Sequence, residues 1–107
     1  MTQTEVRSRR TRAIELLEYV RSVLLAEGER NWLSGIQAVL ETLEDPQLAD
    51  DEALARAASM YRGMTGGPGS FSDFFIWRDT VEDRRTANAP FEAAVNELWE
   101  TLEQPPN

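Results

Sequence analysis

Apolar residues in the first part of the chain recur at the spacing of an α-helix. Over 6–27 they lie three or four positions apart, which marks one face of a helix; they are Ala13, Leu16, Leu17, Val20, Val23 and Leu24. Ile14 and Leu25 widen this face, and a wide apolar face indicates a helix contacted by several neighbours. Gly28 provides the stop, because glycine adopts the left-handed C′ conformation without a steric penalty.

The pattern predicts two further helices before residue 63. One covers 30–44, with a stripe of Trp32, Leu33, Ile36, Val39, Leu40 and Leu43. Gly35 lies inside it at a cost of about 1 kcal/mol relative to alanine, which suggests a close approach of another helix. The next helix covers 51–62, begins with Asp50 or Asp51 as its cap, and buries a face of Leu54, Ala57, Ala58 and Tyr61.

Residues 61–77 hold the least ordinary composition of the chain. Four of the six glycines fall here, at 63, 66, 67 and 69, together with Pro68, so 63–70 is predicted to be an irregular hinge. The aromatic segment 71–77 follows, and we expect the hinge to fold it onto the core. Periodicity does not distinguish a short helix from a short buried strand for 71–77. The charged stretch 78–88 either extends that helix or forms a loop.

The last helix is marked by Phe91, Val95, Leu98 and Leu102 at helical spacing, with Asn88 as a candidate cap and Pro90 in its first turn. The whole chain is therefore predicted to be one all-α domain, 1–107. The expected architecture is a small bundle of four or five mostly antiparallel helices with a glycine-rich hinge before an aromatic segment. Residues 1–5 and 104–107 are expected to fray.

The amino-acid composition excludes several kinds of catalytic and metal-binding site. The 107 residues include neither cysteine nor histidine, which excludes disulfides, thiolate catalysis and any metal site that needs sulfur or imidazole. The commonest general base is also missing. We therefore expect no enzyme, no cofactor and no bound metal. Neither a signal peptide nor a membrane-spanning stretch is visible, which predicts a cytoplasmic protein that does not associate with membranes.

The net charge of −8 is unevenly spread. Residues 1–12 carry four arginines against one glutamate, a charge of +3, so the rest of the chain carries −11. An acidic body favours a basic partner and disfavours nucleic acid, whose phosphates require neutralisation. The arginine cluster at 7–12 is expected to be a solvated helix start; contact with nucleic acid or an anionic surface is the alternative.

Several residues are candidates for contact with a partner or ligand. The glycine-rich hinge, including Gly69 and Ser70, either forms a tight turn or presents backbone N–H groups to an anion. Asp73 either caps the hinge or contacts a ligand, since a buried carboxylate needs a partner. Trp77, beside the charged stretch, is the tryptophan expected to be exposed as an anchor for a partner. The full candidate set is Tyr61, Gly69, Ser70, Phe71, Asp73 and Trp77.

Part of this set also carries a resemblance. Tyr61, Gly63 and Met64, the run from Gly69 to Phe74, and the later Asn88 with its helix are similar to a small uncharacterised bacterial domain-of-unknown-function family. The signature of that family is Tyr/Phe-Gly-Gly-Met-Gly-Ser-Phe-Asn-Asp-Leu, and its order of elements resembles most of this chain. This chain departs from it at Arg62, at Ser72 and in a longer hinge, 65–68.

The resemblance implies a bacterial all-α domain associated with toxin-neutralising or other accessory proteins. Its matching positions here are Gly69, Ser70, Phe71 and Asp73.

Three functions are consistent with these observations. The leading hypothesis is a non-enzymatic protein-binding module, immunity-like towards a basic partner. The second is a small-molecule or anion-binding domain that uses the hinge and Asp73. The third is a homo-oligomeric structural domain in which the wide face of the first helix packs on its own copy.

Overall fold

A computed structural model of the chain describes residues 2–65, 71 and 74–103. These residues form four helices and no strand: α1 (Gln3–Ala26), α2 (Leu33–Glu44), α3 (Asp50–Thr65) and α4 (Val81–Glu103). The predicted small all-α bundle is confirmed.

Both ends of α1 are fixed by local hydrogen bonds. The Thr2 hydroxyl accepts the backbone N–H of Glu5 at 3.1 Å, which caps one of the free donors of the first turn. At the other end Gly28 has φ +70°, and the N–H of Glu29 donates to the carbonyl of Leu24 at 2.9 Å. The predicted glycine stop is therefore confirmed.

Helix α1 packs against all three other helices, as its wide apolar face predicts. Its buried side chains are Ala13, Leu16, Leu17, Val20 and Leu24. Contacts near the start of α1 show the helix directions: Arg9 donates to the carbonyl of Thr101 in α4 at 2.7 Å, and Arg10 donates to that of Leu43 in α2 at 2.6 Å. Both partners lie at the ends of their helices, so α1 is antiparallel to α2 and to α4.

Helices α2 and α3 approach closely at Gly35. A Cβ atom at this position would lie 2.9 Å from the Sδ atom of Met64. The close approach suggested by the glycine is present, and the neighbouring group is a flexible side chain. Thr42 and Met60 meet further along the same pair, which makes α2 and α3 antiparallel.

Three helix boundaries differ from the prediction by three residues each. Helix α1 begins at Gln3 and not near residue 6. Helix α2 begins at Leu33 and not near residue 30. Helix α3 continues to Thr65, so Gly63 is helical and the hinge predicted over 63–70 is wrong for its first three residues. Among the described residues, nothing within 4 Å would meet a Cβ atom at Gly63, so they do not require glycine at this position of the helix.

The largest correction concerns the last helix. Asn88 is not its cap and Pro90 is not in its first turn, because α4 begins at Val81. The Thr80 hydroxyl accepts the N–H of Asp83 at 3.0 Å and caps the helix there. Glu82 and Asp83 in the first turn favour this start electrostatically. Of the charged stretch 78–88, residues 81–88 thus form the start of α4, so the stretch neither extends a helix over 71–77 nor forms a loop throughout.

Three of the four N-terminal arginines, Arg9, Arg10 and Arg12, donate hydrogen bonds to other helices of the bundle. The Arg10 guanidinium donates to the carbonyls of Leu43, Leu48 and Asp45 and to the Asp50 carboxylate, at 2.6 to 3.0 Å. Its side chain is only 13% exposed. The expected solvated helix start is therefore wrong for Arg10, which joins α1 to the end of α2 and the start of α3. Arg12 forms a two-point ion pair with Glu97 of α4.

Candidate functional site

Residues 74–78, which lead towards α4, belong to no helix or strand, and their side chains alternate in exposure as those of an extended backbone do. We call them the extended segment. Over 74–78 neither the short helix nor the short strand considered for 71–77 forms. Phe71 lies in a 3-10 turn, and its carbonyl accepts the N–H of Phe74 at 3.0 Å. Phe74 and Ile76 point inward, whereas Phe75 is 52% and Trp77 61% exposed. Successive side chains of an extended backbone point to opposite sides. The prediction that the aromatic segment folds onto the core is thus confirmed for Phe71 and Ile76 and wrong for Phe75 and Trp77.

Asn88 fixes this segment against α4. Its Oδ1 atom accepts the N–H of Ile76 at 2.8 Å, and its Nδ2 atom donates to the carbonyl of Ile76 at 2.8 Å and to that of Arg84 at 2.8 Å. Asn88 is 6% exposed. Sequence reasoning missed this role, although Asn88 lies three and seven positions before Phe91 and Val95, on the apolar stripe of α4. A polar residue on such a stripe indicates a buried hydrogen-bonded contact.

A cluster of rings surrounds Phe71. Its centroid lies 6.1 Å from those of Trp32 and Tyr61 and 6.4 Å from those of Phe74 and Phe91. Most of these pairs meet edge to face, the arrangement that the ring quadrupoles favour. Phe71, a predicted site residue, is buried and acts as the centre of this cluster.

The cluster forms the floor of an open cavity of about 680 Å³, which we call the aromatic groove. It lies between the end of α3, the extended segment and one face of α4. Its aromatic lining consists of Tyr61, Phe71, Phe74, Phe75, Phe91 and Trp99. Polar groups are supplied mainly by Glu92 and Asn96, both exposed on α4. The groove is thus an apolar trough with a polar border along α4.

Tyr61 brings a buried polar atom to this groove. The residue is 1% exposed, and its hydroxyl has no hydrogen-bond partner among the described residues. Burial raises the pKa of Tyr61 from 10.0 to about 12, because the apolar surroundings disfavour the phenolate. The Tyr61 ring also lies 6.0 Å from that of Trp99.

Phe75 and Trp77 form a second, exposed feature, which we call the aromatic edge. Their ring centroids are 6.4 Å apart, and the Arg84 guanidinium lies 4.3 Å above the Trp77 ring. Next to them, Arg78 donates to both carboxylate oxygens of Glu27 at 2.8 and 2.7 Å. These bonds tie the segment to the end of α1 and lower the pKa of Glu27 below its ordinary value. The exposed tryptophan expected at 77 is therefore present.

The remaining predicted site residues, Gly69, Ser70 and Asp73, lie outside the described residues. The hinge alternatives, a tight turn or an anion site, stay predictions, as does the capping role of Asp73. Within 2–65, 71 and 74–103, no three carboxylates are grouped so as to hold a metal ion. None of the described helices combines the length and apolar character needed to cross a membrane.

The aromatic groove and the aromatic edge are thus two neighbouring surfaces that share Phe75. Comparison of the chain with protein-family models, with curated proteins and with solved structures found no match. The resemblance to a small bacterial family, on Gly69, Ser70, Phe71 and Asp73, accordingly stays a prediction.

Proposed function

We propose that this chain is a non-enzymatic protein-binding module that contacts a basic partner through the aromatic edge. The observation that carries the proposal is the exposure of two adjacent rings, Trp77 at 61% and Phe75 at 52%. Tryptophan is among the residues that contribute most to the affinity of protein interfaces.

The aromatic edge is also preorganised. Asn88 holds the backbone of Ile76 between the two rings, and Arg84 covers one face of Trp77. Side chains that are already ordered lose less conformational entropy when they bind. This favours a contact surface over an accidental exposure of large apolar side chains.

The charge distribution supports a basic partner. Several arginines are neutralised by the protein's own carboxylates, as in the pairs of Arg12 with Glu97 and of Arg62 with Glu103. Three acidic residues follow the aromatic edge in the chain, Asp79, Glu82 and Asp83, and all are exposed. With a net charge of −8, the protein attracts a cationic surface and accelerates the encounter.

The proposed setting is the bacterial cytoplasm, in an immunity-like role. This part of the proposal rests on the family resemblance and the acidic composition. A protein that neutralises a basic toxin would be expected to use such a surface, with carboxylates for attraction and rings for affinity.

Affinity capture with matched variants tests the proposal. The native protein, the double variant Phe75→Ala/Trp77→Ala and the control Tyr19→Ala are used as baits in lysate of the source organism. Tyr19 is an exposed aromatic on α1. We expect one basic protein to be retained by the native and Tyr19→Ala baits, lost from the double variant, and released by added salt.

Equal retention of that protein by all three baits would contradict the proposal. A homodimer that dissociates in the double variant, detected by sedimentation of the purified protein, would assign the aromatic edge to a second copy of the chain instead. We expect the native protein and both variants to be monomers and therefore to sediment at the same rate.

A further inference from the structure

The aromatic groove differs from the aromatic edge in shape and chemistry, because it is concave and lined by rings. We propose that the groove is a binding site for a small, flat aromatic molecule that is neutral or positively charged. This site adjoins the protein-binding surface and shares Phe75 with it, whereas Trp77 is not part of the groove.

The dimensions of the groove suit a small molecule. Its volume of about 680 Å³ falls within the range of roughly 300 to 1,000 Å³ typical of ligand sites. The Phe74 and Phe91 rings meet edge to face at 5.4 Å on the inner side, and the partly exposed rings of Phe75 and Trp99 also line it. A planar ring inserted between these side chains would have aromatic contacts on several sides.

The charge of the lining selects against anions. Of the described residues that line the groove, none is cationic, and Glu92 places a carboxylate on its border. An anionic ligand would meet this carboxylate without a compensating arginine, within a protein of net charge −8. An amine on the ligand would instead be attracted to Glu92.

Tyr61 supplies the second, independent observation. Its hydroxyl is buried and lacks a hydrogen-bond partner in the described part of the chain, a costly state for a polar atom. The polar atoms of Asn88, also in the lining, already bind Ile76 and Arg84. A ligand that lies against the groove lining and brings a polar atom to Tyr61 would remove this penalty. The hydroxyl therefore favours a ligand with one hydrogen-bonding group beyond its ring.

Three compounds that share the indole ring system but differ in charge test the proposal: tryptamine (cationic), tryptophol (neutral) and indole-3-acetate (anionic). Each is titrated into the ¹⁵N-labelled protein, and the side-chain N–H signals of the three tryptophans are followed by NMR. We expect saturable shifts of the Trp99 signal with dissociation constants of about 1 mM, as for a fragment of this size. The Trp32 and Trp77 signals should shift less than that of Trp99, because these two residues lie outside the lining.

The expected order of affinity is tryptamine, then tryptophol, then indole-3-acetate, with about fivefold or more between the first and the last. Glu92→Gln should remove the advantage of tryptamine over tryptophol. Asn96→Phe, at an exposed border position, should block all binding, whereas Asn96→Ala should not. Tyr61→Phe should weaken binding of tryptophol by about threefold to tenfold, the effect of one lost hydrogen bond.

A Trp99 signal that does not move with any of the compounds would overturn the proposal. So would equal or tighter binding of the anion, or native affinity in Asn96→Phe. Trp77→Ala separates the two proposed surfaces: it should abolish capture of the protein partner and leave the indole titration unchanged.

Discussion

The side chain of Asn88 hydrogen-bonds to both the backbone N–H and the backbone carbonyl of Ile76, at 2.8 Å each. A side chain of helix α4 thereby makes the two backbone hydrogen bonds with Ile76 that a neighbouring β-strand would otherwise make. Because Ile76 is held facing inward, the backbone places Phe75 and Trp77 on the outside. The exposure of the aromatic edge thus depends on one buried amide.

Substitution Asn88→Ala should destabilise the protein by about 2 to 4 kcal/mol, because it leaves both backbone polar groups of Ile76 buried without partners. The free energy of unfolding is measured by urea denaturation. The fluorescence of Trp77 should also change in the folded variant, since the segment loses its attachment to α4.

The matched control is Asn96→Ala, on the same helix but exposed. Its effect should remain within about 0.5 kcal/mol of the native value. Equal losses in Asn88→Ala and Asn96→Ala would show that the pairing with Ile76 contributes nothing to stability.

Arg10 should be the most important cation for folding. Its four hydrogen bonds join α1 to the end of α2, to the loop after it and to Asp50 of α3. Arg10→Ala should cost about 2 to 4 kcal/mol, because charge-assisted bonds contribute more than neutral ones. Arg10→Lys should recover only part of this loss, since an ammonium group does not reproduce the planar fork of donors.

Arg7 provides the comparison for Arg10 in the same measurement. It lies near the same carboxylate at 3.9 Å, but its side chain is 79% exposed. Arg7→Ala should change the free energy of unfolding by less than about 1 kcal/mol. Were Arg7→Ala as damaging as Arg10→Ala, general loss of positive charge would explain both results.

The helices were predictable from periodicity because each buries one continuous stripe. The stripe of α1, with Leu17 and Val20 at its centre, identified both the helix and its several neighbours. The start of α4 was not predictable in this way, because 81–87 is mostly polar and its first turn depends on the Thr80 cap. Asn88 and Pro90 imitate a helix start, although Asn88 binds a segment twelve positions earlier.

The candidate site was predicted only in part. Trp77 was identified as exposed because it borders a charged stretch. The aromatic groove was not foreseen, since its walls come from α3, the extended segment and α4, and spacing along the chain does not show which rings meet. The role of Arg10 was missed for the same reason: the carbonyls that it binds become neighbours only when α2 ends beside α1.

Tyr61→Phe should stabilise the free protein at neutral pH, by up to about 1 kcal/mol. The substitution keeps the ring, which packs against Phe71 and Trp99, and removes a hydroxyl that has no partner in the described residues. Thermal and urea denaturation both report the effect. A loss of more than about 1 kcal/mol would indicate that the hydroxyl has a hydrogen-bond partner in the folded protein.

Tyr61 should also make stability depend on alkaline pH. Burial raises its pKa in the folded state from 10.0 to about 12, so the folded protein retains the proton more strongly than the unfolded chain. The resulting stability is complete below about pH 10 and is lost as the pH rises towards about 12. The native protein should therefore lose about 1.4 kcal/mol relative to Tyr61→Phe between about pH 8 and about pH 11. A constant difference between the two proteins over this range would contradict the raised pKa.

Trp77→Ala should leave stability nearly unchanged, within about 1 kcal/mol, although it removes the largest kind of side chain. Trp77 is 61% exposed, and its ring contacts among the described residues are with the Arg84 guanidinium and the Phe75 ring. An exposed cation–π contact contributes about 0.5 to 1 kcal/mol. Phe91→Ala, which empties a buried position in the ring cluster, should by contrast cost about 3 to 5 kcal/mol. Urea denaturation of both variants makes the comparison.

If Trp77→Ala were as damaging as Phe91→Ala, Trp77 would be part of the core and its exposure would not support a binding role. A small effect on stability together with loss of the captured partner would instead assign Trp77 to binding.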